Sequence, residues 1–95
     1  MARDGVERII NAMITVLYFA RLREALGTGS ETIKLPADVS NIDNLRAHLI
    51  ARGGVWADEL QKTAIRAAIN QSMASGDSAI ADGDEVAFFP PVTGG

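Results

Sequence analysis

The chain has 95 residues, 47% of them apolar and 22% charged, a balance ordinary for one soluble globular domain and too hydrophobic for a disordered one. A domain of this length buries roughly 60–70% of its unfolded surface, enough for a single modest core. Nine basic against twelve acidic residues give a net charge of −3, which argues against the clustered cationic surface that nucleic-acid binding needs, and the absence of cysteine excludes disulfides, thiolate metal sites and cysteine nucleophiles.

Residues 1–13 read as an appendage in which Val6, Ile9, Ile10 and Met13 fall at i, i+3, i+4 and i+7, one apolar stripe of a short helix. Met13 followed by Ile14-Thr15-Val16 is a second natural start, so the segment reads either as a true extension or as the product of an upstream start codon. The apolar run 9–20 lacks a basic leader, since Asp4 and Glu7 precede it, and it is too short to span a bilayer. A cytoplasmic protein with no membrane partner is expected.

From Ile14 to Ala20 the β-branched and aromatic residues predict a buried first strand. Arg21–Leu26 is one short helix ended by Gly27-Thr28-Gly29-Ser30, and Glu31–Leu35 alternates polar and apolar as a half-exposed second strand that stops at Pro36. Ser40 with Asp43 three residues on resembles a capping box. It opens a helix of about 12 residues with an Ile42, Leu45, Leu49 and Ile50 stripe, closed by Gly53-Gly54. Val55, Trp56 and Leu60 suggest a further short helix. Ile65–Ile69 is a third strand, Asn70-Gln71 a tight turn into Ser72-Met73-Ala74, and Asp82-Gly83-Asp84 a turn ahead of the last strand, Glu85–Phe89.

A hairpin, a crossing helix and a last strand returning parallel to the first give an α+β fold, the β-grasp arrangement of ubiquitin-like proteins: a mixed sheet with one main crossing helix. The expected division is an N-terminal extension (1–13), a β-grasp domain (14–89) and a C-terminal arm (90–95). Along the strands, Val86 and Phe88 take one face and Ala87 and Phe89 the other, and Tyr18 and Phe19 likewise part company. A half-covered sheet cannot hide both sets, so one aromatic of each pair is expected at the surface, where it favours a protein interface.

The remaining candidates reduce to ordinary structure. His48 has no partners for a metal site or a triad and is read as a packed or solvated helix residue. Asp82-Gly83-Asp84-Glu85 lacks the roughly 12-residue ligand spread of an EF-hand and is an acidic turn. Gly27 and Gly29 lack the third glycine of a dinucleotide fingerprint. No cofactor and no metal is expected on this chain.

The ending Pro90-Pro91-Val92-Thr93-Gly94-Gly95 is different. Two prolines without N–H groups stop sheet pairing and hold the chain extended, and two glycines without Cβ atoms pass through a channel too narrow for side chains. Glycines alone also occur at frayed ends. Joined to an aromatic strand and a β-grasp order, the diglycine points to chemistry on the last carboxylate.

The stretch Asp82-Gly83-Asp84-Glu85-Val86-Ala87-Phe88-Phe89-Pro90-Pro91-Val92-Thr93-Gly94-Gly95 closely resembles the C-terminus of the molybdopterin synthase small-subunit family. Val16–Glu24 resembles that family's first strand and turn, and Ala67-Ala68-Ile69-Asn70-Gln71 its central strand, so the resemblance covers residues 13–95. It implies a sulfur carrier, a sulfur-donating subunit of a sulfurtransferase whose catalytic side chains lie on a large subunit. The Gly95 carboxylate, next to Gly94, would be adenylated with ATP by a ubiquitin-activating-like adenylyltransferase. A sulfur donor would convert it to a thiocarboxylate, which donates sulfur to cyclic pyranopterin monophosphate. The resemblance further implies a heterotetramer of two small and two large subunits. In it Phe19, Met73 and Phe89 form an apolar docking patch, and Pro90, Pro91, Val92, Thr93, Gly94 and Gly95 form the inserted arm. Three other readings share parts of this pattern: a thiamine-pathway sulfur carrier, a ubiquitin-like modifier of target lysines, and a plain interaction module with an incidental diglycine.

Overall fold

The computed structural model describes residues 12–91, so the expected extension helix up to residue 11 and the arm residues Val92, Thr93, Gly94 and Gly95 lie outside the described residues. Within them the chain forms β1 (Met13–Tyr18), α1 (Arg21–Leu26), β2 (Ser30–Lys34), α2 (Ile42–Ile50), α3 (Gly54–Leu60), β3 (Arg66–Ile69), β4 (Ser72–Ala74) and β5 (Glu85–Phe89). The sheet order is β2-β1-β5-β3-β4. β1 and β5 run parallel, with Val16 opposite Val86 and Tyr18 opposite Phe88, and the other neighbours are antiparallel. This is the mixed β-grasp sheet that the element order predicts.

Alternation along the strands decides what lies beneath the helices. Ile14, Val16 and Tyr18 of β1, Val86 and Phe88 of β5 and Ala67 of β3 are buried, and they meet Leu45 and Leu49 of α2 and Leu60 of α3. Each fully buried aliphatic or aromatic side chain contributes about 1.5–3 kcal/mol, so this one cluster supplies most of the driving force for folding.

The main helix starts one residue later than the Ser40/Asp43 pattern suggests and is shorter, nine residues rather than about 12. Asn41 is the N-cap: its side-chain oxygen accepts the Asn44 N–H at 2.8 Å. The Asn44 side chain in turn accepts from the Ser40 N–H and hydroxyl, both at 3.2 Å. The N3 side chain therefore reaches one residue beyond the cap, to Ser40, and the expected reciprocal box is not closed. The two preceding N–H groups of α2 are satisfied by the returning chain, Ile42 donating to the Ser78 carbonyl and Asp43 to that of Gly76. Asp43 sits so close to Gly76 that a Cβ there would run into its carboxylate.

Two arginines fasten the helices to their surroundings. Arg46 on α2 donates from Nε to the Leu60 carbonyl at 2.6 Å, and its terminal nitrogens reach the carbonyls of Lys62 and Ile65. It thereby caps the end of α3 and fixes the loop into β3. Arg52, just past α2, forms a two-pronged ion pair with Glu31 on β2 at 2.8 and 3.1 Å and lies 4.4 Å over the Trp56 ring.

A candidate docking face at the exit of the C-terminal arm

The helices cover one face of the sheet, and the residues that alternate with the core line the other. Register places Leu17 opposite Ala87, Ala87 opposite Ala68, and Ala68 opposite Met73, one apolar row crossing four strands. Phe89 stands one step further along β5, opposite Arg66 on β3, and Phe19 continues β1 past the Tyr18–Phe88 pair. Phe19 is 46% exposed and Met73 66% exposed, while Phe89 is half-buried. The three residues expected to form a patch thus share one sheet face, Phe19 and Phe89 at the end where β5 leaves the sheet and Met73 one row back. The predicted division within each aromatic pair holds, since Tyr18 and Phe88 are 1% and 0% exposed.

Phe19 is held outward by what surrounds it. The Tyr18 ring turns inward, meeting Trp56 edge-on at a centroid distance of 5.3 Å, and its hydroxyl donates to Glu31 at 2.7 Å. The Phe19 N–H donates to the Phe88 carbonyl at 3.2 Å, so pairing with β5 persists to that point. Ala20 then reverses the chain into α1 with φ 54° and ψ −128°, a conformation that costs a residue with a Cβ of order 1–3 kcal/mol.

The cluster around Tyr18 carries the perturbed ionisations found among the described residues. Burial, with the hydrogen bond to Glu31 and that group's charge added, pushes the Tyr18 phenol far above its ordinary range. For Glu31, partial burial works upward, but the hydrogen bonds from Arg52 and Tyr18 and the guanidinium charge outweigh it and hold the carboxyl below the usual range. The hydrogen bond to Glu31 raises Arg52 in turn. These groups lie beneath the helices, away from the bare face, and they hold the fold together.

At the exit, Pro90 and Pro91 line a shallow groove of about 360 Å³ with Arg21 and Leu22 of α1, Glu59 of α3, and Lys62, Ala64 and Ile65 before β3. The Arg46 clamp holds the far wall of that groove. Among the described residues there is no group of three or more His, Cys, Asp or Glu side chains able to hold a metal, and no helix is long and apolar enough to cross a membrane. His48 is exposed on α2. Leu17, Ala68 and Arg66 belong to the bare face and escaped sequence reasoning. Alternation back from Phe19 reaches Leu17, but Ala68 and Arg66 join the patch only through the β3–β5 register.

A β-grasp sheet covered on one side, with an apolar patch on the other beside a proline-led C-terminal segment, defines the ubiquitin-like class of small carrier and modifier proteins. The sequence model described as the ThiS family matches residues 16–95, and the chain belongs to that family. It is 47% identical over 83 residues to the molybdopterin synthase sulfur carrier subunit of Escherichia coli, an alignment covering 87% of this chain and 100% of that protein. It is 45% identical to the molybdopterin synthase sulfur carrier subunit of Haemophilus influenzae, again over 87% of this chain and 100% of the relative. Among solved structures, SAMP1 from Haloferax volcanii superposes with a TM-score of 0.69 at 27% identity, over 87% of this chain and 99% of that one.

Proposed function

We propose that this chain is the sulfur carrier subunit of a molybdopterin synthase. The observation that carries the reading is the apolar patch of Phe19, Met73 and Phe89 on the bare sheet face, at the point where a strand passes through Pro90-Pro91 toward Gly94-Gly95. Family membership and full-length similarity to proteins named as sulfur carrier subunits support it. A subunit needs its complement, and the patch has the composition of a docking site for a large subunit in a heterotetramer.

The chemistry follows from the terminus. An α-carboxylate with pKa about 3.3–3.7 is ionised at neutral pH and is a poor electrophile. Attack of its oxygen on the α-phosphorus of ATP, inside a ubiquitin-activating-like adenylyltransferase, releases pyrophosphate and leaves a glycyl adenylate. A sulfide-level donor then adds at the acyl carbon and AMP departs, leaving a C–S bond and a thiocarboxylate on Gly95. Pro90 to Gly95 form the arm that enters the large subunit, where the sulfur passes to cyclic pyranopterin monophosphate. The chain is acidic overall, with a net charge of −3, which suits a carrier whose anionic pterin acceptor is bound by the large subunit, where the catalytic side chains belong. The chain itself holds no cofactor, and ATP is consumed by the activating enzyme. The setting is cytoplasmic.

Intact mass spectrometry after incubation with ATP, an activating enzyme and a sulfur source tests this. The expected result is a gain of about 16 Da, one oxygen replaced by sulfur, that deletion of Gly95 abolishes. Sulfur passed to a thiazole precursor instead of the pterin would assign the chain to thiamine synthesis, and isopeptide-linked species in cell extracts would make it a modifier. No gain, with an activating enzyme competent on another carrier, would leave the modifier or the interaction-module reading.

A further inference from the structure

The chain is acidic, yet positive charge stands at the exit of its C-terminal arm. Arg66 opens β3 directly opposite Phe89, on the bare face and exposed. Arg21 opens α1 just past the end of β1 and lines the groove that Pro90 and Pro91 occupy. β5 lies between β1 and β3, so Arg21, which follows one neighbouring strand, and Arg66, which opens the other, stand on either side of the departing segment. Glu59 also lines that groove but is paired with Lys62, and two further acidic groups stand at the other end of the same strand. Asp84 precedes Glu85, the first residue of β5, and Asp82 accepts the N–H of Met13, the first residue of β1.

Most other cations of the described chain are engaged. Arg46 is spent on backbone carbonyls, Arg52 on Glu31 and Lys62 on Glu59, while Arg23 and Lys34 lie away from Phe89 and the groove at Pro90 and Pro91. Neither Arg21 nor Arg66 joins an ion pair among the described residues. Docking a partner on Phe89 removes water from the neighbouring Arg66, and a guanidinium left desolvated without an anion is strongly unfavourable. A planar fork in that position is best met by a carboxylate.

Building on the sulfur-carrier reading above, we propose that Arg21 and Arg66 form a cationic collar around the exit of the arm, and that it pairs with carboxylates on the rim of the large subunit's arm-accepting channel. The collar orients the encounter so that the arm faces the channel before the apolar patch closes. It acts on capture of the partner and takes no part in sulfur transfer.

Stopped-flow association with the large subunit tests this at low and at physiological ionic strength. The variants are the double charge reversal R21E/R66E, the neutral R66Q, and K34E, whose charge sits on β2 opposite Met13, at the far end of the sheet. R21E/R66E should slow association about 10-fold or more at low salt, with the gap narrowing as salt rises. R66Q should move the same way by a smaller factor, and K34E should stay within about 2-fold of wild type. If the double reversal does not fold, as read by circular dichroism, R66Q against K34E decides the matter. A collar variant matching K34E in rate and salt dependence overturns the proposal. Wild-type protein that fails to bind the large subunit at all would remove the functional reading instead.

Discussion

The two faces of the sheet are written in the same strands and do different work. On the covered face, Val16, Val86 and Phe88 are wholly excluded from water and packed under α2 and α3. On the bare face, one residue away in each strand, Leu17, Ala87 and Phe89 stay partly open and meet no helix. The lesson is that adjacent, chemically similar residues divide stability and assembly between them, and that the parity of position along a strand sets the division.

The sharpest way to break this comparison is to alter the neighbouring phenylalanines separately. Phe88→Ala opens a cavity in the core and should cost about 3–5 kcal/mol, read as a fall in the urea midpoint with little change in slope. Phe89→Asp should change unfolding stability by no more than about 1 kcal/mol, yet weaken binding to the large subunit about 30-fold or more by calorimetry. Equal stability losses in the two variants, or unchanged assembly in the second, would erase the distinction between the faces.

Glu31 tests the covered face from another side, because it faces the helices from β2 opposite Val16. Its folded-state pKa is depressed, so its contribution to stability is present above its unfolded value of about 4.3 and is lost as pH falls through the folded value. Glu31→Gln should therefore be less stable than wild type at pH 7, with the difference closing in acid. A gap that is constant from pH 7 to pH 3 would mean that packing, and not charge, sets the role of this residue. The smallest effect belongs to Ala20, the hinge between Phe19 and α1. Replacing it with glycine relieves the positive φ and should raise stability by up to about 1 kcal/mol in thermal unfolding, with binding unchanged.

Much of this molecule is legible in its residues. The β-branched run from Ile14, the turn at Asn70-Gln71, with φ of 49° and 70°, and the break at Asp82-Gly83-Asp84 mark strands and turns through local sterics alone. Helix α2 was legible in its stripe and not in its start. Ser40, Asn41, Asp43 and Asn44 all suit a cap, and the choice of Asn41 is coupled to Gly76 and Ser78, whose carbonyls take up the neighbouring N–H groups of the helix. Those residues lie more than thirty positions away, beyond the reach of any local pattern.

The candidate site divides in the same way. Alternation within β1 and β5 is enough to send Phe19 and Phe89 to the face opposite Tyr18 and Phe88, because successive side chains on an extended chain must point apart. Whether that face stays bare, and which residues of other strands join it, is a matter of partners. Met73 enters through the β3–β4 register and Ala68 and Arg66 through the β3–β5 register, pairings between segments about 20 residues apart in the second case. Local geometry thus settled which way each side chain points. Long-range hydrogen bonding and the one-sided placement of the helices decided which of those side chains stand together and which are left facing water.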